Sequence, residues 1–135
     1  MKNKIILNLD VVNKKWKKLM YYGFFYESVC LTLEKAKFYN SELTIRLINN
    51  NEIKKLNKIW RQKNLATNVL AFPNYTNKNL SNNLNYIGDL AISYDKIREE
   101  SNLYDIPFFD HVIHIVIHGV LHLVGYDHNN KSNEK

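Results

Sequence analysis

Two periodicities in the spacing of apolar residues divide this chain into elements. Lys4–Asp10 (KIILNLD) reads as a first strand. From Lys14 to Phe38 the apolar positions Leu19, Tyr22, Tyr26, Val29, Leu33 and Ala36 fall three or four apart, which predicts one helix with Gly23 tolerated inside it. Ser41–Ile48 alternates Leu43, Ile45 and Leu47 with polar neighbours, the pattern of a half-buried strand. Helical spacing returns from Asn50 to Trp60 through Ile53 and Leu56, with Asn50 or Asn51 as N-cap. Asn68–Phe72, closed by Pro73, and Tyr86–Ser93 read as strands on either side of a polar, Asn-rich loop at Asn74–Asn85. Asp95–Ser101 predicts a short helix. The last long helix is expected to start at Asp105–Pro107, because proline suits a first helical turn, and to stop near Gly125.

The order is β-α-β-α-β-β-α-α. It implies an α/β (α+β) single domain with a mixed sheet of about four strands flanked by helices. The first two β-α-β crossovers are expected to place neighbouring strands parallel, and the last two strands to form a hairpin. No repeat or Pro/Gly-rich linker interrupts residues 1–128, and 129–135 read as a frayed tail. An apolar share of 45% in 135 residues excludes wholesale disorder. Nineteen basic against 13 acidic residues give a net charge of +6, which leans towards polyanionic partners, although a Lys- and Asn-rich bias contributes to it. Cys30 is the only cysteine, so neither an internal disulfide nor a cysteine zinc site can form, and the chain fits a reducing cytoplasm. The first ten residues carry too short an apolar run for a cleavable signal. Ile106–Gly125 is the most membrane-like stretch, but it holds Asp110 and four histidines and reads as a buried core helix rather than a span.

The candidate chemistry lies in that stretch, in His118-Gly-Val-Leu-His122-Leu-Val-Gly125-Tyr-Asp-His128. Residues four apart on a helix stack roughly 5–6 Å apart at Cβ, so His118 and His122 can reach one ion. A third helical turn carries the stripe away, so the chain must break and return. Gly125 permits the positive φ of such a break, and His128 follows three residues later. Three imidazoles leave the fourth tetrahedral position of a zinc ion open to water, the catalytic arrangement. His114, one turn earlier, is an alternative ligand; it and His111 are read instead as supporting or packing residues. Asp127 is either an acceptor for a ligand imidazole or a helix-end cap. The spacing equals that of the metzincin peptidases, but their general-base glutamate is replaced by Gly119, so a peptidase must draw its carboxylate from elsewhere, Asp89 or Glu52.

These residues also resemble a family. HGVLHLVGYDH at 118–128 is similar to the H-G-x-L-H-L-x-G-Y-D-H signature of the YbeY-type endoribonucleases, bacterial rRNA maturation factors. Leu56-Asn57 with Trp60-Arg61 and Lys63 resembles their L-N-x-x-[YW]-R-x-K segment, Ala66–Pro73 their T-D-V-L-S-F-P, and Gly88–Ser93 their G-D-h-x-I-S. Asn68 stands where the family has Asp, and Ala71 where it has Ser. The resemblance implies zinc-dependent cleavage of single-stranded RNA, maturation of the small-subunit rRNA 3′ end and ribosome quality control. It also implies the small ribosomal subunit, a ribosomal protein and a ribosome-assembly GTPase as partners, and no membrane. Arg61 is then the expected catalytic cation, and Lys54, Lys55, Lys58 and Lys63 are expected RNA-backbone contacts. Two rival readings are a metallopeptidase and a non-enzymatic assembly factor with structural zinc.

Overall fold

A computed structural model describes residues 4–17, 21–74 and 84–125. Leu19, most of the Asn-rich loop, Asp127, His128 and the expected tail at 129–135 lie outside them. The elements are β1 (Ile5–Val11), α1 (Lys14–Lys17), α2 (Tyr22–Lys35), β2 (Ser41–Ile48), α3 (Asn50–Arg61), β3 (Val69–Pro73), β4 (Asn85–Ser93), α4 (Tyr94–Tyr104) and α5 (Phe108–Leu123). They form a single α+β domain around one four-stranded mixed sheet of order β1-β2-β4-β3.

The expected parallel crossovers hold once and fail once. β1 and β2 are parallel neighbours, but β2 pairs with β4, and β3 runs antiparallel to β4 at the sheet edge. Burial gives the reason. Leu90, Ala91, Ile92 and Ser93 are all sealed from solvent, so β4 needs cover on both faces and takes the interior position. The shorter β3, ended by Pro73, suits an edge, where a missing N–H costs no ladder bond. Gly88 lets β4 turn in beside β3. Its φ is +141°, and a Cβ there would run into the Phe72 carbonyl oxygen.

Three helix ends differ from their sequence reading. The single helix expected over Lys14–Phe38 is two, α1 and α2, and Gly23 falls in the first turn of α2. The N-cap of α3 is Asn49, one residue before the expected pair. Its side chain accepts from the Glu52 N–H, and Glu52 accepts from the Asn49 N–H, both at 2.9 Å. This reciprocal box outcompetes the later asparagines. Asp105 does not open the last helix; it ends α4 in the left-handed region at φ 56°, and Pro107 is the N-cap of α5.

Each face of the sheet has its own core. The larger one packs Leu7, Leu43, Ile45, Leu90 and Ile92 under α2 and α5, with Val29, Leu33, Val112 and Val116 supplied by the helices. Trp16 of α1 plugs one end of it, fully buried, with its indole N–H donating to the Ile48 carbonyl at 2.9 Å. The smaller core, Ile48, Ile53, Leu70 and Ala91, lies under α3 on the opposite face. No single helix among the described residues is long and apolar enough to cross a membrane. The buried face of α5 agrees with its reading as a core helix.

Gly119 sets how closely α5 lies on β4. A Cβ added there would stand 2.9 Å from both methyl carbons of the fully buried Leu90. Alanine gains about 1 kcal/mol over glycine within a helix, but overpacking a sealed core costs about 1–3 kcal/mol. Gly119→Ala is therefore expected to lower unfolding free energy in urea by about 1 kcal/mol net. In a Leu90→Ala background the same change should be stabilising. An identical effect of Gly119→Ala in both backgrounds would contradict this contact.

Candidate active site

α5 carries four histidines along one stripe. His111 is buried, and His114, His118 and His122 are exposed. Helical spacing stacks them as expected: the rings of His111 and His114 lie 6.2 Å apart between centroids, and those of His114 and His118 4.3 Å apart. They line a cleft of about 600 Å³ together with Arg61, Asn68, Ala71 and Glu100. The helix stops at Leu123, and Gly125 has φ 90°, so the break expected after His122 is present.

His118 is held below its ordinary pKa of 6.5, first because burial in the cleft disfavours its charge and then because His114 and His122 are adjacent. Its ring is exposed at the mouth, so this desolvation is partial. A neutral imidazole is the form that ligates a metal. His118 and His122, with His114 alongside, present their imidazoles to the same cleft. Among the described residues no three His, Cys, Asp or Glu side chains form a complete metal group; the third expected ligand, His128, lies outside them.

Arg61 reaches the cleft from the far face of the sheet. It ends α3, and Gln62 caps the helix in the left-handed region at φ 60°. Asn57, buried one turn earlier, donates to the Leu65 carbonyl at 2.9 Å and ties the chain after the helix to it. The Arg61 guanidinium then wraps the edge strand, donating to the Ala71 carbonyl at 2.8 Å and lying 5.3 Å from the centre of the Phe72 ring. It is thus an anchored arginine, not a freely solvated one. Because the contact uses the backbone of residue 71, alanine there leaves it intact. Of the four lysines singled out by sequence, Lys55 lines a second groove on the α3 face, and Lys54, Lys58 and Lys63 are exposed.

One group escaped sequence reasoning. Glu100 of α4 lies 2.8 Å from His111 Nε2 and accepts from the Asn68 side-chain amide at 3.0 Å. α4, α5 and the residue just before β3 thus meet in one polar network on the cleft wall. Its only trace in the sequence was the departure at Asn68, because nothing in the spacing of Glu100 marks it. The two carboxylates named for a peptidase, Glu52 and Asp89, are not in this cleft, whose own carboxylate is Glu100. Glu52 and Asp89 line the groove on the opposite face, Glu52 within the α3 capping box and Asp89 bonded to Tyr86 and Arg46.

The fold and cleft define a class: a small α+β domain in which an arginine from an edge-wrapping helix end faces a column of histidines. Comparison with known proteins makes the class specific. The sequence profile of the family Endoribonuclease YbeY matches residues 9–135. A relative named Endoribonuclease YbeY from Buchnera aphidicola subsp. Baizongia pistaciae is 38% identical, over 98% of this chain and 85% of its own length. One of the same name from Wolbachia sp. subsp. Drosophila simulans is 35% identical, over 96% and 86%. The solution structure of TM1509 from Thermotoga maritima shares the fold with a TM-score of 0.61 at 24% identity, over 91% of this chain and 75% of that one. The chain belongs to the YbeY endoribonuclease family.

Two outcomes follow from the network and the histidines. Asn68→Asp removes a donor and sets a second carboxylate against Glu100. It should cost about 1–3 kcal/mol at pH 7 and less at pH 4.5, where carboxylates begin to protonate, as read by urea unfolding. An equal cost at both pH values would show that the carboxylates do not meet. The depressed His118 pKa means the unfolded chain binds more protons, so chelator-treated protein should lose stability as pH falls below 6.5. His118→Gln should flatten that loss, and an unchanged slope would refute the assignment.

Proposed function

We propose that this chain is a zinc-dependent, single-strand-specific endoribonuclease that matures the 3′ end of small-subunit rRNA and acts in ribosome quality control. The reading rests on one observation above the rest: Arg61 and the α5 histidines line the same cleft although they come from opposite faces of the sheet. One zinc ion would be held by His118, His122 and His128, with His114, Asp127 and Gly125 in support. When bound, it supplies a water of pKa near about 7 and a positive charge beside the scissile phosphate.

The remaining work falls to the chain's own side chains. Arg61 spends one of its five N–H donors on Ala71 and offers others to a phosphodiester oxygen, where its planar fork meets the charge that grows at phosphorus. The neutral His118 keeps the cleft free of a competing proton near neutral pH. Glu100, oriented by Asn68 and His111, is the carboxylate of the cleft wall. Lys54, Lys55, Lys58 and Lys63 add sequence-independent attraction for an RNA backbone. The substrate is precursor rRNA in the cytoplasm. The small ribosomal subunit, a ribosomal protein and a ribosome-assembly GTPase are proposed as partners on family membership.

The test is cleavage of an rRNA precursor by purified protein, with and without chelator, alongside elemental analysis. Arg61→Ala should keep stoichiometric zinc and lose about 10²–10³-fold in rate, the scale of one removed charge-stabilising donor. His122→Ala should lose the metal. Equal cleavage by wild type and Arg61→Ala would reject the role of Arg61. Full activity after metal removal would leave zinc as at most a structural ion.

A further inference from the structure

On the α3 face of the sheet, away from the histidines, lies an open groove of about 820 Å³. Its floor is apolar, built from Ile48, Leu56, Ala91 and Phe72. At its rim stands Trp60, 62% exposed and edge-on to Phe72 with ring centres 6.3 Å apart. A tryptophan left this open on a helix whose neighbouring core is sealed does not serve that core.

The charges around the groove select its occupant. The carboxylates present are already engaged: Glu52 accepts from the Asn49 N–H, and Asp89 is bonded to Tyr86 and Arg46. Among the described residues no carboxylate pairs within 4 Å with Lys55 or Arg61, nor with Lys54 or Lys58 on the same helix. The groove therefore combines an open aromatic plane with unneutralised cations. Arg61 lines both this groove and the histidine cleft, so an elongated anion held in one continues into the other.

We propose that this groove is a nucleobase subsite for single-stranded RNA. An unpaired base beside the scissile linkage stacks on Trp60, while Lys55 and Arg61 hold the phosphates on either side of it. Stacking on an aromatic ring needs a base freed from its helix, so the subsite disfavours duplex substrates without reading sequence. The proposal rests on the endoribonuclease reading, and it deepens it by placing part of the strand selectivity on α3 rather than in the histidine cleft.

The chain's two tryptophans make the test direct. Trp16 is fully buried, so acrylamide quenching of intrinsic fluorescence reports chiefly on Trp60. Zinc-loaded protein is titrated with a 2′-O-methylated 12-mer, with an abasic oligomer of the same length and charge, and with a duplex. The single strand should shield Trp60 from acrylamide, and neither control should. Trp60→Ala should raise the Kd for the 12-mer about tenfold or more, and Trp60→Phe should restore most of the affinity. Equal binding of the abasic oligomer, or an unchanged Kd for Trp60→Ala, would overturn the subsite. If Trp60→Ala binds naked RNA normally but no longer co-sediments with small ribosomal subunits, the groove docks a protein and the proposal also fails. Wild type that cleaves RNA without shielding Trp60 refutes the subsite alone, whereas wild type that neither binds nor cleaves RNA refutes the nuclease reading as well.

Discussion

The seating of α5 on β4 fixes everything in the cleft. With only a hydrogen at position 119, the helix backbone drops onto the Leu90 methyls, and the stripe of Val112, Val116 and Val120 closes the larger core beneath it. The histidine stripe occupies the adjoining flank of the same helix, so its height above the sheet edge follows from that close approach. A larger residue at 119 lifts the whole histidine column. The position that carries a general-base glutamate in metzincin peptidases is thus occupied here by a packing constraint. The two chemistries part at the level of core geometry as much as at the level of functional groups.

The second constraint is the placement of β3 at the edge. An interior strand would bury its flank under a neighbour and keep an arginine from the opposite layer out of the histidine cleft. As an edge strand, β3 leaves Ala71 within reach of Arg61, and the guanidinium passes around the sheet to join residues on the other face. Asn57 and the left-handed cap at Gln62 set where that passage starts. The sheet order, which the crossover argument misread for β3, is therefore what brings the site together.

Much of the fold was readable because the local signals agreed with the tertiary ones. Alternation in Ser41–Ile48 and the reading of Tyr86–Ser93 as a strand came within a residue of the observed limits, and Gly125 marked the end of α5 correctly. The misreadings share a cause. Asn49 and Asp105 each act through a local backbone competition that apolar spacing does not record: a capping box claimed the earlier asparagine, and a left-handed cap claimed the aspartate. That His114, His118 and His122 share one flank of α5 was legible because helical periodicity is itself a distance. Glu100 was not, because its meeting with Asn68 and His111 depends on how α4 packs against α5 and the chain just before β3.

The two departures from the family pattern act on different parts of this design. Ala71 offers Arg61 a backbone oxygen, and a backbone oxygen is present whatever the side chain, so that substitution leaves the arginine anchored. Asn68 is different, because its side chain makes the contact. An amide donates to Glu100, whereas an ionised aspartate could only repel it. With aspartate, the wall would set a second carboxylate beside Glu100 and His111. With asparagine it holds a single negative charge facing one imidazole. The change thus alters the charge on the cleft wall, not its shape, and any effect on catalysis acts through the electrostatics around Glu100 and His111.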